Sequence, residues 1–230
     1  MKAKLNKEFF DIIDTEQKAY WLGFIWSDGY MCIRNRGSNG TLYYEFKLEL
    51  SIIDQGHLEK FKKDLDSNFI IKNYITSSYF SKNESARLMI YNKYFCENLT
   101  NNYNLKPKRN SIESFIHKIP KNLIRHFIRG VFDADGSLSY YIVHENKKKA
   151  SISFHCVETL SRFIESHFIE NELIANIDRK LYHRHEGRDG DMRALMLSGV
   201  PQVTKVLDYL YKDCTVYLDR KYLKYKTKHD

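Results

Sequence analysis

One nine-residue pattern occurs twice in this chain, as Trp21-Leu22-Gly23-Phe24-Ile25-Trp26-Ser27-Asp28-Gly29 and as Ile128-Arg129-Gly130-Val131-Phe132-Asp133-Ala134-Asp135-Gly136. The copies align without a gap: Gly23 with Gly130, Asp28 with Asp135 and Gly29 with Gly136, each pair 107 residues apart. Both are apolar at helical spacing and end on an acid and a glycine, which reads as a helix closing into a turn. A chain of 230 residues with one helix repeated at that interval is expected to consist of two like halves.

The order of elements repeats as well. The first half predicts a helix over 14–28, strands over 30–36 and 42–50, a helix over 55–65, strands over 69–77 and 85–91, and a helix over 93–103. The second predicts a helix over 121–135 behind Pro120, strands over 137–144 and 149–156, and a helix over 158–171. Strands over 176–185 and 192–198 and a helix over 201–211 complete it. The fold class is therefore α+β, two pseudo-symmetric αββαββα halves, each with a four-stranded antiparallel sheet. The polar stretch around Pro107 separates them: an N-terminal half over 1–106, a linker over 107–119 and a C-terminal half over 120–230.

Gly23 and Gly130 stand in mid-helix, where glycine costs roughly 0.8–1 kcal/mol relative to alanine. Close approach of the two helices around a pseudo-two-fold axis compensates, since a residue without Cβ lets backbones come together. With their ends converging, Asp28 would meet Asp135, and two adjacent carboxylates call for a cation. A hard divalent ion such as Mg²⁺, which takes one or two carboxylates and keeps several waters, resolves the repulsion. Gly29 and Gly136 are expected to allow the sharp turn into the following strand.

These residues resemble the LAGLIDADG homing endonucleases. The stretch 128–136 reads IRGVFDADG and 21–29 reads WLGFIWSDG, and with the repeated element order the resemblance extends over nearly the whole chain. It is similar to the single-chain, two-motif form, which implies a monomer. The resemblance implies that Asp28 and Asp135 bind metal, helped by the backbone carbonyls of Ser27 and Ala134, with Mg²⁺ as cofactor. Mn²⁺ or Ca²⁺ would substitute, Ca²⁺ without cleavage. It further implies that the two sheets form a saddle over the major groove of double-stranded DNA, and that basic residues at the end of each unit assist the chemistry. The matching positions here are Lys108 or Arg109, and Lys221. Asp133, facing Trp26 in the other copy, is expected to be a structural acid.

Composition agrees with this reading and narrows it. The chain is 43% hydrophobic with three prolines, hence folded. A net charge of +8 together with seventeen tyrosines suits a polyanionic partner. Cys32, Cys96, Cys156 and Cys214 form no C-x-x-C pair, no apolar run approaches a membrane span, and no signal-like segment opens the chain. An intracellular protein acting at DNA is expected, with no membrane partner.

Alternation assigns outward sets to the sheets: Tyr30, Cys32, Arg34 and Arg36 with Tyr43, Glu45, Lys47 and Glu49 in the first half. The second contributes Ser137, Ser139 and Tyr141 with Lys149, Ser151, Ser153 and His155. Such mixed donors and acceptors suit base edges. Lys72, Tyr74, Arg87, Arg179, Arg184, Arg188 and Arg193 are further DNA-binding candidates, and His183-Arg184-His185 reads as a phosphate-touching hairpin tip in preference to a zinc site. The expected reaction is metal-dependent hydrolysis of one phosphodiester per strand in a long, asymmetric target. Two rivals stand beside it: a catalytically inactive relative serving as an intron RNA maturase or DNA-binding regulator, and a repeat-built structural protein.

Overall fold

The computed structural model describes residues 3–35, 40–77, 82–106, 111–143, 147–182 and 192–227. Helix α1 (Glu16–Asp28) starts where the Thr15 hydroxyl accepts the Lys18 N–H at 3.3 Å, with Glu16 in the positively polarised first turn. Residues 19 to 26 are all buried, so α1 is enclosed on every side and presents no solvent stripe. Its counterpart α4 (Ile124–Asp135), entered through a 3₁₀ turn at Lys121–Leu123, is buried from 126 to 133.

Each motif helix runs directly into a strand. Strands β1 (Gly29–Asn35), β2 (Leu42–Ser51), β3 (Ile71–Ser77) and β4 (Lys82–Ile90) form an antiparallel sheet in the order β1-β2-β4-β3, with α2 (Gln55–Asp64) between β2 and β3. Helix α3 (Lys93–Tyr103) follows, capped by Asn92, whose side chain accepts the Phe95 N–H at 2.9 Å. The second sheet has the order β5-β6-β7: β5 (Ser137–Val143), β6 (Lys147–Val157) and, beyond α5 (Glu158–Glu170), β7 (Met192–Ser198). Helix α6 (Val200–Tyr211), with Pro201 in its first turn, and a short α7 (Asp219–Lys226) close the chain.

The second sheet departs from expectation. Instead of a strand over 176–185, the described residues contain one isolated bridge, Tyr182 with Ala194. The preceding segment is drawn onto α5: Arg179 lies 3.6 Å from Glu165, and Arg162 donates to the Arg179 carbonyl at 3.0 Å. Residues 183–191 lie outside the described residues.

A continuous apolar core runs from Phe9 to Val216 with α1 and α4 at its centre. The stretch expected to be a linker contributes to it, since Ile112, Phe115 and Ile119 are buried and the Phe115 ring packs on Trp26, Tyr103 and Phe127. Among the described residues no helix is long and apolar enough to cross a membrane.

Candidate functional site

The seam between the motif helices is backbone against backbone. A Cβ built on Gly23 would stand 2.0 Å from the Phe127 carbonyl oxygen, and one on Gly130 would stand 2.0 Å from that of Tyr20. Neither neighbour is a movable side chain, so both positions require glycine. Gly29 and Gly136 have φ of −70° and −77°, which any residue adopts, so the turn itself needs no glycine. Space does: a Cβ would fall 2.4 Å from the Ile25 carbonyl oxygen at Gly29 and 2.4 Å from the Phe132 ring at Gly136.

Asp28 ends α1 at the root of β1, and Asp135 ends α4 at the root of β5; both are half-buried, as are Ser27 and Ala134. The Lys221 ammonium packs on the end of α4. It is buried at 4% exposure and donates to the carbonyls of Phe132 at 2.5 Å, Asp133 at 2.9 Å and Gly136 at 2.6 Å, closing the negative end of α4. Burial pushes its pKa down to about 8, while the negative charges of Asp133, Asp28 and Asp135 oppose that fall. One ammonium thus feels the terminal acids of both motif helices. Its three N–H donors are all engaged, which makes it a clamp on the helix end and no ready base.

Asp133 lies behind this clamp with no exposed surface. It accepts from the Tyr20 hydroxyl and the Leu218 N–H, each at 2.8 Å, and from the Tyr211 hydroxyl, and burial raises its pKa. Arg129, in the same motif copy, is equally enclosed. It spends its guanidinium on Glu16 at 2.7 Å, the carbonyls of Val216 at 3.1 Å and Leu210 at 3.0 Å, and His126 Nδ1 at 2.6 Å.

The donors near the helix ends are all oxygens: two carboxylates and last-turn carbonyls. Among the described residues no group of three or more His, Cys, Asp or Glu is placed to hold a metal. An oxygen donor set of two carboxylates and carbonyls suits a hard ion such as Mg²⁺, which retains waters. Lys108 and Arg109 lie outside the described residues, as do Arg36, Arg184 and Arg188.

Strand pairing settles which side chains share the outer sheet faces. In the first sheet Tyr30 pairs with Lys47 and Lys47 with Met89; Cys32 pairs with Glu45; Arg34 pairs with Tyr43; and Glu49 pairs with Arg87, which pairs with Lys72. Tyr74 joins this face beside Ser85. Met31, Phe46, Leu48 and Leu88 take the opposite, buried face. Glu49 organises the outer row: burial opposes its ionisation, but the Ser85 hydroxyl at 2.7 Å, Arg87 at 2.8 Å and Lys47 at 3.3 Å hold its pKa below the usual carboxylate value. Cations also rest on rings here, Arg87 over Tyr74 and Lys47 over Tyr30.

In the second sheet Ser139 pairs with Ser151 and Tyr141 with Lys149 on the outer face. Ser153 is on that side but only 4% exposed, because its hydroxyl is closed between Ser137 at 2.7 Å and His155 at 2.9 Å. Arg193 does not belong to the outer face. It pairs with Cys156 on the core side and bridges to Glu158 at 3.2 Å. Arg179 is likewise committed elsewhere, to Glu165. Residues that the sequence reading passed over share the outer faces, namely Ser85, Met89, Lys147, Met196 and Ser198. The alternation around Arg87 and Lys149 carried the signal for most of them.

No protein-family model matches this chain, and no curated protein matches it by sequence. Solved structures do. The LAGLIDADG meganuclease I-CpaMI bound to uncleaved DNA superposes with a TM-score of 0.60 at 13% identity, covering 91% of this chain and 89% of its own. The homing endonuclease I-GzeII in complex with its DNA target gives 0.56 at 14% identity, over 90% and 87%. Meganuclease I-SmaMI bound to uncleaveable DNA gives 0.60 at 12% identity, over 92% and 89%. The likeness spans about nine-tenths of the chain, and the fold of this chain is that of the LAGLIDADG homing endonucleases.

Proposed function

We propose that this protein is a site-specific DNA endonuclease that makes a metal-dependent double-strand break in a long, asymmetric target. One observation supports the reading: the two motif helices touch backbone to backbone at Gly23 and Gly130, and each ends on its acid, Asp28 or Asp135, at the root of a sheet with a polar outer face. Structures of this fold described as DNA-bound support the same partner. The outer faces differ in nearly every pair, as an asymmetric target requires.

Asp28 and Asp135, with the carbonyls of Ser27 and Ala134, would hold Mg²⁺. When bound there, such an ion would supply a more acidic attacking water and charge stabilisation for the leaving 3′ oxygen. The two carboxylates would hold that ion at the helix ends, and Lys221 would supply fixed positive charge nearby. Tyr30, Arg34, Tyr43, Glu45, Lys47, Lys72, Tyr74, Arg87, Ser139, Tyr141, Lys149, Ser151 and His155 would read or position the duplex.

Cutting of a randomised plasmid library with Mg²⁺ tests the reading. The wild type should linearise a discrete subset. Asp28→Asn and Asp135→Asn should bind that subset with near-wild-type affinity and lose double-strand cutting by about 10²-fold or more. Intron-RNA binding without cutting of any DNA would sink it.

A further inference from the structure

Asp133 is adjacent to the proposed cutting centre but cannot enter it, because no part of it reaches solvent. Its carboxylate is taken up by the Leu218 N–H, the Tyr20 hydroxyl and the Tyr211 hydroxyl. A carboxylate so enclosed is costly to desolvate and persists only where donors surround it. The other motif copy carries Trp26 at the matching position, buried and donating its indole N–H to the Tyr103 carbonyl at 3.1 Å. The scaffold therefore accepts an apolar ring at this place, and the acid in the second copy has to be explained by what it holds.

It holds the turn that presents Lys221. Leu218 is the cap residue of α7, and its carbonyl accepts the N–H groups of Lys221 at 3.1 Å and Tyr222 at 3.0 Å. Pinning the Leu218 N–H to Asp133 fixes that turn against α4. From there the ammonium reaches the carbonyls of Phe132, Asp133 and Gly136. We propose that Asp133 is a positioning residue that sets the Lys221 ammonium at the Asp135 end of α4 and so supports the cut of one DNA strand, the one served by the second motif copy. This rests on the endonuclease reading above. Trp26 instead donates its indole N–H to the Tyr103 carbonyl at the end of α3, so the matching positions of the two motif copies hold different segments by different bonds.

The test uses the full chain and a target selected by the wild type from a randomised plasmid library, with each strand labelled at its own end. Asp133→Asn should shift the ratio of the two strand-cleavage rates by about 10- to 100-fold, with nicked circles accumulating. Lys221→Met should slow the same strand, and the double variant should be no slower on that strand than Lys221→Met alone. Equal slowing of both strands, opposite strands for the two variants, or additive losses would overturn the proposal. Should Asp133→Asn fail to fold, Tyr211→Phe, which withdraws one donor from Asp133, takes its place in the cycle.

A second readout needs no cleavage. An ammonium held in three buried hydrogen bonds gives a protected ¹H–¹⁵N signal, assigned by its disappearance in Lys221→Met. Loss of that signal in folded Asp133→Asn supports the positioning role; its persistence overturns it. If the wild type cuts no DNA, the endonuclease reading fails, and this signal alone still decides whether Asp133 positions Lys221.

Discussion

Gly130 is the residue at which two opposing effects can be weighed directly. Replacing it by alanine should gain roughly 0.8–1 kcal/mol of helix propensity. The new Cβ would stand 2.0 Å from a backbone oxygen of α1, so the helices must part, at a cost of about 3 kcal/mol, the upper end for an overpacked core. Gly130→Ala and Gly23→Ala are therefore each expected to lower the urea midpoint by the equivalent of ~2 kcal/mol, and an unchanged midpoint would refute backbone contact at the seam. His57 offers a pH test. The Tyr20 hydroxyl donates to Asp133, so the ring nitrogen 2.9 Å from that hydroxyl must donate to it, and the other nitrogen, Nδ1, is buried with no acceptor for a proton, which favours the neutral imidazole. Burial, then the charges of Lys60 and Arg220, lower its pKa to about 3 from an ordinary 6.5. Below pH 6.5 the unfolded chain takes a proton that the folded one refuses. Stability is thus whole above pH 6.5 and lost as pH falls toward about 3, by up to ~1.4 kcal/mol per unit. His57→Phe should flatten the stability profile between pH 6.5 and 4 by one proton, read from urea unfolding across that range. Some of this chemistry was legible in the sequence. Glycines and acids at one repeat distance announce themselves, because their roles follow from what they lack or carry. The tasks of Arg129 and Lys221 depend on carbonyls at 210, 216, 132 and 136, and backbone carbonyls leave no trace in residue identity.

At the scale of elements, strand register separates cations that face a partner from cations that brace the fold. Arg87 lies in the outer row with Lys72 and Glu49, whereas Arg193, two and four residues from the buried Leu195 and Leu197, points to the core side and meets Glu158. That periodicity is legible in the order of residues; basic character alone wrongly groups the two. Under the endonuclease reading Arg87→Ala should weaken target binding by about 1–3 kcal/mol or reduce the salt slope by about one. Arg193→Ala should leave affinity unchanged and cost under ~1 kcal/mol of stability, as a partly exposed pair does. Fluorescence anisotropy at several salt concentrations checks both, and equal losses of affinity would contradict the assigned faces. Helix α7 and the path of the described segment 176–182 were beyond sequence reading for a shared reason. Each is decided by distant partners: α7 by Leu218 on Asp133 and by Lys224, which donates to the Leu138 carbonyl at 2.6 Å, and the 176–182 segment by Glu165 on α5.

For the whole molecule, the question is whether the repeat makes two folding units or one. The seam lacks side chains at its closest points, so neither motif helix can cover itself in isolation; residues 19 to 26 of α1 would lose much of their cover without α4. The end of the chain reaches back across the boundary as well. Glu16 accepts the N–H groups of Thr215 at 2.7 Å and Val216 at 3.4 Å, Lys60 bonds Asp219 at 2.7 Å, and Arg220 bonds Asp54 at 2.8 Å. The surface pairs contribute little each. Glu16 is different, since it neutralises the fully enclosed Arg129 guanidinium, and removing one partner of such a pair costs about 3–5 kcal/mol. Sequence duplication thus coexists with a single interlocked core, and thermal unfolding should be one cooperative transition whose calorimetric and van't Hoff enthalpies agree. Glu16→Ala should lower the midpoint of that one transition without splitting it. Two resolved transitions, or a midpoint moved only for a subset of probes, would mean that the repeats fold independently and that the helix seam is a docking contact between finished domains.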